Sequence, residues 1–321
     1  MPLSSIDAFI RSSTLAKGFS RVRFISPYDP QAFLGARVSG DNHWQGAPSL
    51  LMAALPYGNL GVSSDQGKPS TVAPFARRNY YAEAVARLKE IARELRERWG
   101  GSKSDYRILC NSPVPEKPLA LRCGLGWLGK NSLIITPEAG SLVVIASMTV
   151  PFPLPPDSPL PGVFPSSFNP CLSGPFEISD LSFPACKVCG DQNACSTACP
   201  TGALDGSGVL CKEKCIQWYA SGNGEKVPDF VAQVWGERLY GCSNCQDSCP
   251  HNKKSVDPVE TERGKLPDCF SAEWLLAAGD EEIRAVLKGT ALGLQWLGPQ
   301  SLRRNAELAA RHDAALAVRR A

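Results

Sequence analysis

The sequence predicts an α+β protein: an N-terminal α/β domain over residues 1–165, a cysteine-rich module over 166–258 and a helical C-terminal region over 259–321. Three observations predict it. Short apolar runs alternate with one long amphipathic stretch in the first 150 residues, prolines crowd residues 151–184, and seven of the thirteen cysteines make up two runs that each end in Cys-Pro, with an eighth between them.

Taken in order, Ser49 to Pro56 (SLLMAALP) is a nearly continuous apolar run, as expected for a buried strand. Arg77 to Trp99 predicts a helix, because Ala82, Val85, Leu88, Ile91, Ala92 and Leu95 recur at helical spacing and Gly100-Gly101 stops the pattern. Tyr106 to Cys110, Ser132 to Ile135 and Ser141 to Ile145 read as strands. Gly124 to Gly129 spells G-x-G-x-x-G, but an apolar strand follows it where a dinucleotide site needs a helix. The proline-rich stretch is an irregular connector, and Ser271 to Ala278, Asp280 to Leu287 and Ser301 to Arg319 read as helices.

The cysteine runs are Cys186-x2-Cys189-x5-Cys195-x3-Cys199-Pro200 and Cys242-x2-Cys245-x3-Cys249-Pro250, with Cys215 between them. This is close to the ligand spacing of a two-cluster ferredoxin, in which the last cysteine of each run binds the other run's 4Fe-4S cluster. The expected sets are Cys186, Cys189, Cys195 and Cys249 for one cluster, and Cys199, Cys215, Cys242 and Cys245 for the other. The module is therefore expected to be ferredoxin-like. Two departures stand out: the five-residue gap after Cys189 must bulge out of the cluster loop, and Cys211 is a spare thiol able to replace Cys215. Two zinc ribbons are the alternative, but they leave Cys195, Cys199 and Cys249 idle and do not explain the repeated Cys-Pro.

The remaining composition sets limits. A 43% apolar content is ordinary for a globular chain, no run of eighteen apolar residues occurs, and the net charge of +3 permits an anionic partner without requiring one. The opening residues Met1 to Asp7 carry neither a basic nor an apolar signal region, so a reducing cytoplasm, with no membrane partner, is expected.

With those landmarks placed, the chain resembles the epoxyqueuosine reductases, cobalamin-dependent iron–sulfur enzymes that act on tRNA. The resemblance is carried by Gly124-Leu-Gly-Trp-Leu-Gly-Lys-Asn131 before a strand, by Cys199-Pro-Thr-Gly-Ala-Leu204, and by Gly241-Cys-Ser-Asn-Cys-Gln-Asp-Ser-Cys-Pro-His-Asn252. Gly289-Thr-Ala291 and Arg304-Asn305 echo the family's C-terminal signature. It implies cobalamin between the α/β domain and the cluster module, with Gly124, Gly126, Trp127, Gly129, Lys130 and Asn131 helping to line the corrin pocket. It also implies a reduced ferredoxin- or flavodoxin-type electron donor and a tRNA or related electrophilic substrate. Counting back from Gly124, the family's acid position falls on Cys110, which is the candidate catalytic residue. The family's Asp-Tyr-His triplet reads Asn79-Tyr80-Tyr81 here. Arg303-Arg304 and Arg319-Arg320 are candidate phosphate contacts. Asp41-x-His43-x-x-Gly46 matches a cobalt-binding string of another cobalamin class, but the later elements of that pattern are missing.

Two non-catalytic readings remain, a two-cluster electron carrier serving a partner and an RNA-binding scaffold. Elemental analysis of anaerobically purified protein tests the ligand reading: iron with acid-labile sulfide is expected, and zinc in its place would overturn it.

Overall fold

The computed structural model describes residues 2–25, 47–57, 72–112, 116–162, 188–224, 226–254, 257, 259–293 and 296–320, the last nine of these as backbone only. The centre of the N-terminal part is a four-stranded antiparallel sheet in the order β1-β2-β6-β3, formed by Arg21–Ile25, Ser49–Pro56, Val143–Val150 and Ile108–Leu109. Every residue of β2 is buried, which explains its unbroken apolar sequence: the sheet has a core on both faces. With the period-two alternation of a strand, Leu51, Ala53 and Leu55 face one core, and Leu50, Met52 and Ala54 face the other.

The first core is covered by α1 (Leu3–Ala16) and α2 (Tyr80–Trp99), through Ile6, Ile10, Leu88, Ile91 and Leu95. The second is closed by α3 (Glu116–Arg122) and by the hairpin of β4 (Trp127–Leu128) and β5 (Ile134–Ile135). Hence the G-x-G-x-x-G string enters a hairpin, as its apolar sequel indicates. Its glycines answer to packing: a Cβ on Gly126 would lie 2.4 Å from the Ile135 carbonyl oxygen.

α2 begins three residues later than its apolar spacing suggests, because Asn79 is its cap: the side-chain oxygen accepts from the Ala82 N–H at 3.0 Å. The buried stripe also differs from expectation. Ala82 and Val85 are half-buried, while Glu83 is buried among cations. Glu83 accepts from Arg87 at 2.7 Å, Arg263 at 2.8 Å and Thr261 at 3.0 Å, tying α2 to the start of the C-terminal region.

Residues 153–160 contain no helix or strand, as their prolines require. The connector is still anchored: Asp157 accepts from the Phe24 N–H at 2.7 Å and pairs with Arg11 at 3.1 Å. The boundary expected at 165/166 lies outside the described residues. Beyond the cysteine-rich stretch, α8 (Ala272–Ala277), α9 (Asp280–Leu287) and α10 (Pro299–Arg320) enclose a core that includes Leu275, Ile283, Leu287 and Leu302. In α10, Asn305 is wholly buried and donates to the Ala220 and Leu239 carbonyls, both at 3.0 Å, which fixes this region to the cluster module. Among the described residues, no helix is long and apolar enough to cross a membrane.

Glu83 provides a pH test of the fold. Burial opposes its ionisation, but the bonds from Arg263, Arg87 and Thr261 win and hold the carboxyl below its ordinary value. A depressed folded-state pKa adds stability above the unfolded value and loses it as pH falls through the folded one. Glu83→Gln is expected to cost about 2 kcal/mol at pH 7. Thermal melts should show the difference shrinking below the usual carboxylate range, and a constant difference across pH would contradict the role.

Candidate functional site

Two single-turn helices build the cysteine site, α4 (Ala194–Thr197) and α7 (Asn244–Asp247), with α5 (Ile216–Ala220) and α6 (Asp229–Ala232) between them. Each single turn separates two cysteines four apart, Cys195 from Cys199 and Cys245 from Cys249, and directs them to opposite sides. Cys189, Cys195 and Cys249 line a small cavity with Lys130, Ile135 and His251. Cys199, Cys215, Cys242 and Cys245 line a second, larger one. The thiols thus fall into the crossed grouping expected from the spacing, with Cys186 outside the described residues. Cys211 is exposed and turned away, its thiol 3.8 Å from the Glu213 carboxylate, while Cys215 stands in the cavity wall.

The surroundings fit iron–sulfur clusters. Burial, and then repulsion from Cys242, Cys215, Cys195 and Cys199, pushes the Cys245 thiol far up. Four such sulfurs can be thiolates together only around a cationic core. At Cys199 burial is outweighed by hydrogen bonds from the Thr201 hydroxyl and from the backbone N–H groups of Thr201, Ala203 and Leu204, so this thiol lies below its ordinary value. Trp127 packs against Ile135, Cys189 and Cys249, and its buried indole N–H has no acceptor among the described residues. The His251 ring meets Trp127 edge-on at 5.3 Å.

Lys130 grips the loop that the five-residue gap creates. Its ammonium donates to the Gly190 carbonyl and to Asn193 Oδ1, both at 2.8 Å. The residues expected to line a corrin pocket therefore divide. Asn131 borders both cavities, Lys130 walls the smaller, three-thiol one, and Trp127 packs against its Ile135, Cys189 and Cys249, while Gly124, Gly126 and Gly129 are tightly packed, Gly129 in the loop between β4 and β5. The string is drawn toward the cluster loop because Lys130 bonds to it.

A buried polar clamp joins sheet and module. Gln246 donates to the Tyr57 hydroxyl at 2.7 Å and the Ser141 carbonyl at 2.8 Å. Asn252 accepts from the Ser141 N–H at 2.7 Å and donates to the Gln246 carbonyl at 2.7 Å. Gly140 makes room for it, since a Cβ there would lie 2.1 Å from Asn252 Oδ1.

The large cavity, of about 360 Å³, lies between this clamp and β6. Val143, Val144 and Ile145 form one wall, the four thiols with Ala203, Leu204 and Ile216 form the opposite wall, and Tyr57, Phe75 and Tyr81 add aromatic surface. Its polar lining includes Glu116, Lys117, Asn111 and the Asn131 amide, whose nitrogen is buried without a partner among the described residues.

Residues 185–252 match a 4Fe-4S double cluster binding domain. The chain is 31% identical over 274 residues to epoxyqueuosine reductase from Synechococcus sp. (strain CC9605), covering 82% of this chain and 74% of that protein. It is 29% identical over 329 residues to the Escherichia coli (strain K12) protein of the same name, covering 92% and 80%. The chain belongs to the epoxyqueuosine reductase family. The fold agrees: the Bacillus subtilis epoxyqueuosine reductase, solved with its catalytic aspartate loop swung out of the active site, superposes with a TM-score of 0.72 at 23% identity, over 97% of this chain and 82% of that one. An epoxyqueuosine reductase solved with an epoxyqueuosine-modified tRNA stem loop superposes with a TM-score of 0.70, again at 23% identity and over 97% and 82%. Membership makes the protein an oxidoreductase with two 4Fe-4S clusters from a cobalamin-dependent family.

Against the epoxyqueuosine reductase pattern, three departures now have structural readings. Cys110 is half-buried, its thiol points at the Ile145 carbonyl at 3.4 Å, and it does not line the cavity. Burial, and secondarily Glu116, raises its pKa far above that of a free thiol. Asn79 serves as helix cap and donates to the Gly289 carbonyl at 2.9 Å, Tyr80 is core, and Tyr81 lines the cavity. Arg303 is engaged by Asp280 and the Ala278 carbonyl, and Arg304 by the Tyr219 carbonyl. His43 and the side chains of His312, Arg319 and Arg320 lie outside what is described. The residue that sequence reading missed is Glu116, a solitary acid with no motif around it.

Iron analysis discriminates the spare thiol. Cys215→Ser should lose about half of the iron while Cys211→Ser keeps all of it. The reverse result would move the ligand to position 211.

Proposed function

We propose that this protein is an iron–sulfur, cobalamin-dependent reductase that removes the epoxide oxygen of epoxyqueuosine in tRNA. The observation that carries the reading is the large cavity, with four cysteine thiols on one wall and an acid on the other. Cys186, Cys189, Cys195 and Cys249 would hold one cluster, and Cys199, Cys215, Cys242 and Cys245 the other. Asn131, Val143 to Ile145 and the aromatic residues suit a flat, amide-bearing corrin: the walls are apolar, and the Asn131 amide is free to bond to it. When bound, the cofactors supply low-potential electrons and a nucleophilic cobalt. The chain's own residues exclude water, orient the modified base and deliver protons. The proposed units are residues 1–165, 166–258 and 259–321, the site lying where the first two meet. The donor is a reduced ferredoxin or flavodoxin, and the compartment the cytoplasm.

A tRNA substrate is supported by the surface beside the cavity. Asn111 lines both the cavity and an open polar recess formed with Ser221, Gly222, Asn223 and Trp296. Trp296 is 58% exposed and offers a stacking face for a nucleobase.

Anaerobic protein carrying both clusters, given cobalamin, a low-potential reductant and epoxyqueuosine tRNA, should yield tRNA lighter by one oxygen. Clusters without corrin binding or product would instead favour the electron-carrier reading. Trp296→Ala should raise KM for the tRNA about tenfold with kcat unchanged, and unaltered kinetics would remove the recess from the substrate path.

A further inference from the structure

We propose that Glu116 is the proton donor of this site, in place of the side chain at position 110. The inference rests on the reductase reading above and deepens it. Glu116 opens α3 and reaches the large cavity in the company of Tyr81, Asn111, Lys117 and Asn131. Its Oε1 accepts from the Asn111 N–H at 3.0 Å, and the Ser112 N–H is a second donor. Asn111 has φ of 51°, in the left-handed region that a non-glycine residue rarely takes. That turn puts the two N–H groups on the carboxyl and carries the chain away from Cys110.

No cation neutralises the acid: among the described residues Glu116 has no ion pair, and neighbouring Lys117 donates to the Ser132 carbonyl at 2.7 Å. The other titratable groups facing it are the thiol of Cys110 beyond β3 and the phenol of Tyr81 on α2, itself pushed up to about 12. Desolvation in the cavity wall raises the Glu116 carboxyl to about 7 against the pull of the two N–H groups. An acid poised near neutral pH is suited to proton delivery, whereas the Cys110 thiol gives its hydrogen to the Ile145 carbonyl and is not among the residues lining the cavity.

The proton balance requires such a group. Conversion of an epoxide to an alkene and water consumes two electrons and two protons. Cleavage of the first C–O bond leaves the oxygen as an alkoxide, which takes the Glu116 proton. Cleavage of the second releases that oxygen as water with another proton, relayed from solvent through the same carboxylate. Both electrons come from the one-electron donor that feeds the clusters.

The test uses the holoenzyme with epoxyqueuosine tRNA, comparing Glu116→Gln, Glu116→Asp and Cys110→Ala. Glu116→Gln should lower kcat by about 10²–10⁴-fold with KM for the tRNA nearly unchanged. Glu116→Asp should recover part of that loss, and Cys110→Ala should keep kcat within a few-fold. In the wild type, kcat should fall as pH rises through about 7, and Glu116→Gln should lose that limb. Independently of turnover, infrared spectra of the substrate-free protein should show a protonated carboxyl band that titrates near pH 7 and is missing from Glu116→Gln. Full activity in Glu116→Gln, an equal loss in Cys110→Ala, or no such band would each overturn the assignment. A wild type that holds both clusters and corrin yet reduces no epoxide would instead sink the reductase reading itself.

Discussion

The buried amide clamp between Ser141, Tyr57, Gln246 and Asn252 is the constraint on which the rest of the molecule depends. It joins the end of a sheet to the helix that carries Cys245, over a buried contact. Each of its amide groups meets oxygens or N–H groups from a different stretch of chain. Inside a dry interface a half-satisfied amide costs more than an apolar residue would, so the set forms together or not at all. Because Asn252 lies three residues after Cys249, the clamp also sets how far the thiols stand from β6, and hence the width of the cavity. Lys130 and Asn305 repeat the device at the module's other edges.

The same dryness governs the chemistry. Burial raises the pKa of the Cys245 thiol, the Tyr81 phenol and the Glu116 carboxyl alike, since each charged form loses its hydration. What differs is the compensation available. Thiols facing an iron core can ionise against it. A phenol stays neutral, and a carboxyl with two N–H donors is left poised between its two forms. One low-dielectric space thus sorts its groups into ligands, packing and acid without any further device.

Much of this could be read in the sequence, and where reading stopped there were physical reasons. β2 was visible because both of its faces are buried, and α9 because its turns match its apolar spacing. α1 escaped notice: Ile6, Ile10 and Thr14 are its buried positions, too few to stand out. β1 escaped for a related reason, since Arg21 and Arg23 interrupt its apolar residues and Arg21 is buried by bonding to the Gly124 carbonyl and pairing with Glu138. Glu83 inside the α2 stripe could not be foreseen, because its partner Arg263 is 180 residues away.

By itself the sequence determined the iron–sulfur character of the protein, since cluster ligation is a matter of side-chain type and local spacing. It also determined which runs are apolar on one face or two. Only the tertiary structure decided which acid faces the cavity, that Lys130 serves the cluster loop, and that Asn79 is a cap. Those roles depend on what lies within about 3 Å across distant segments, and the order of residues along a chain does not record that distance.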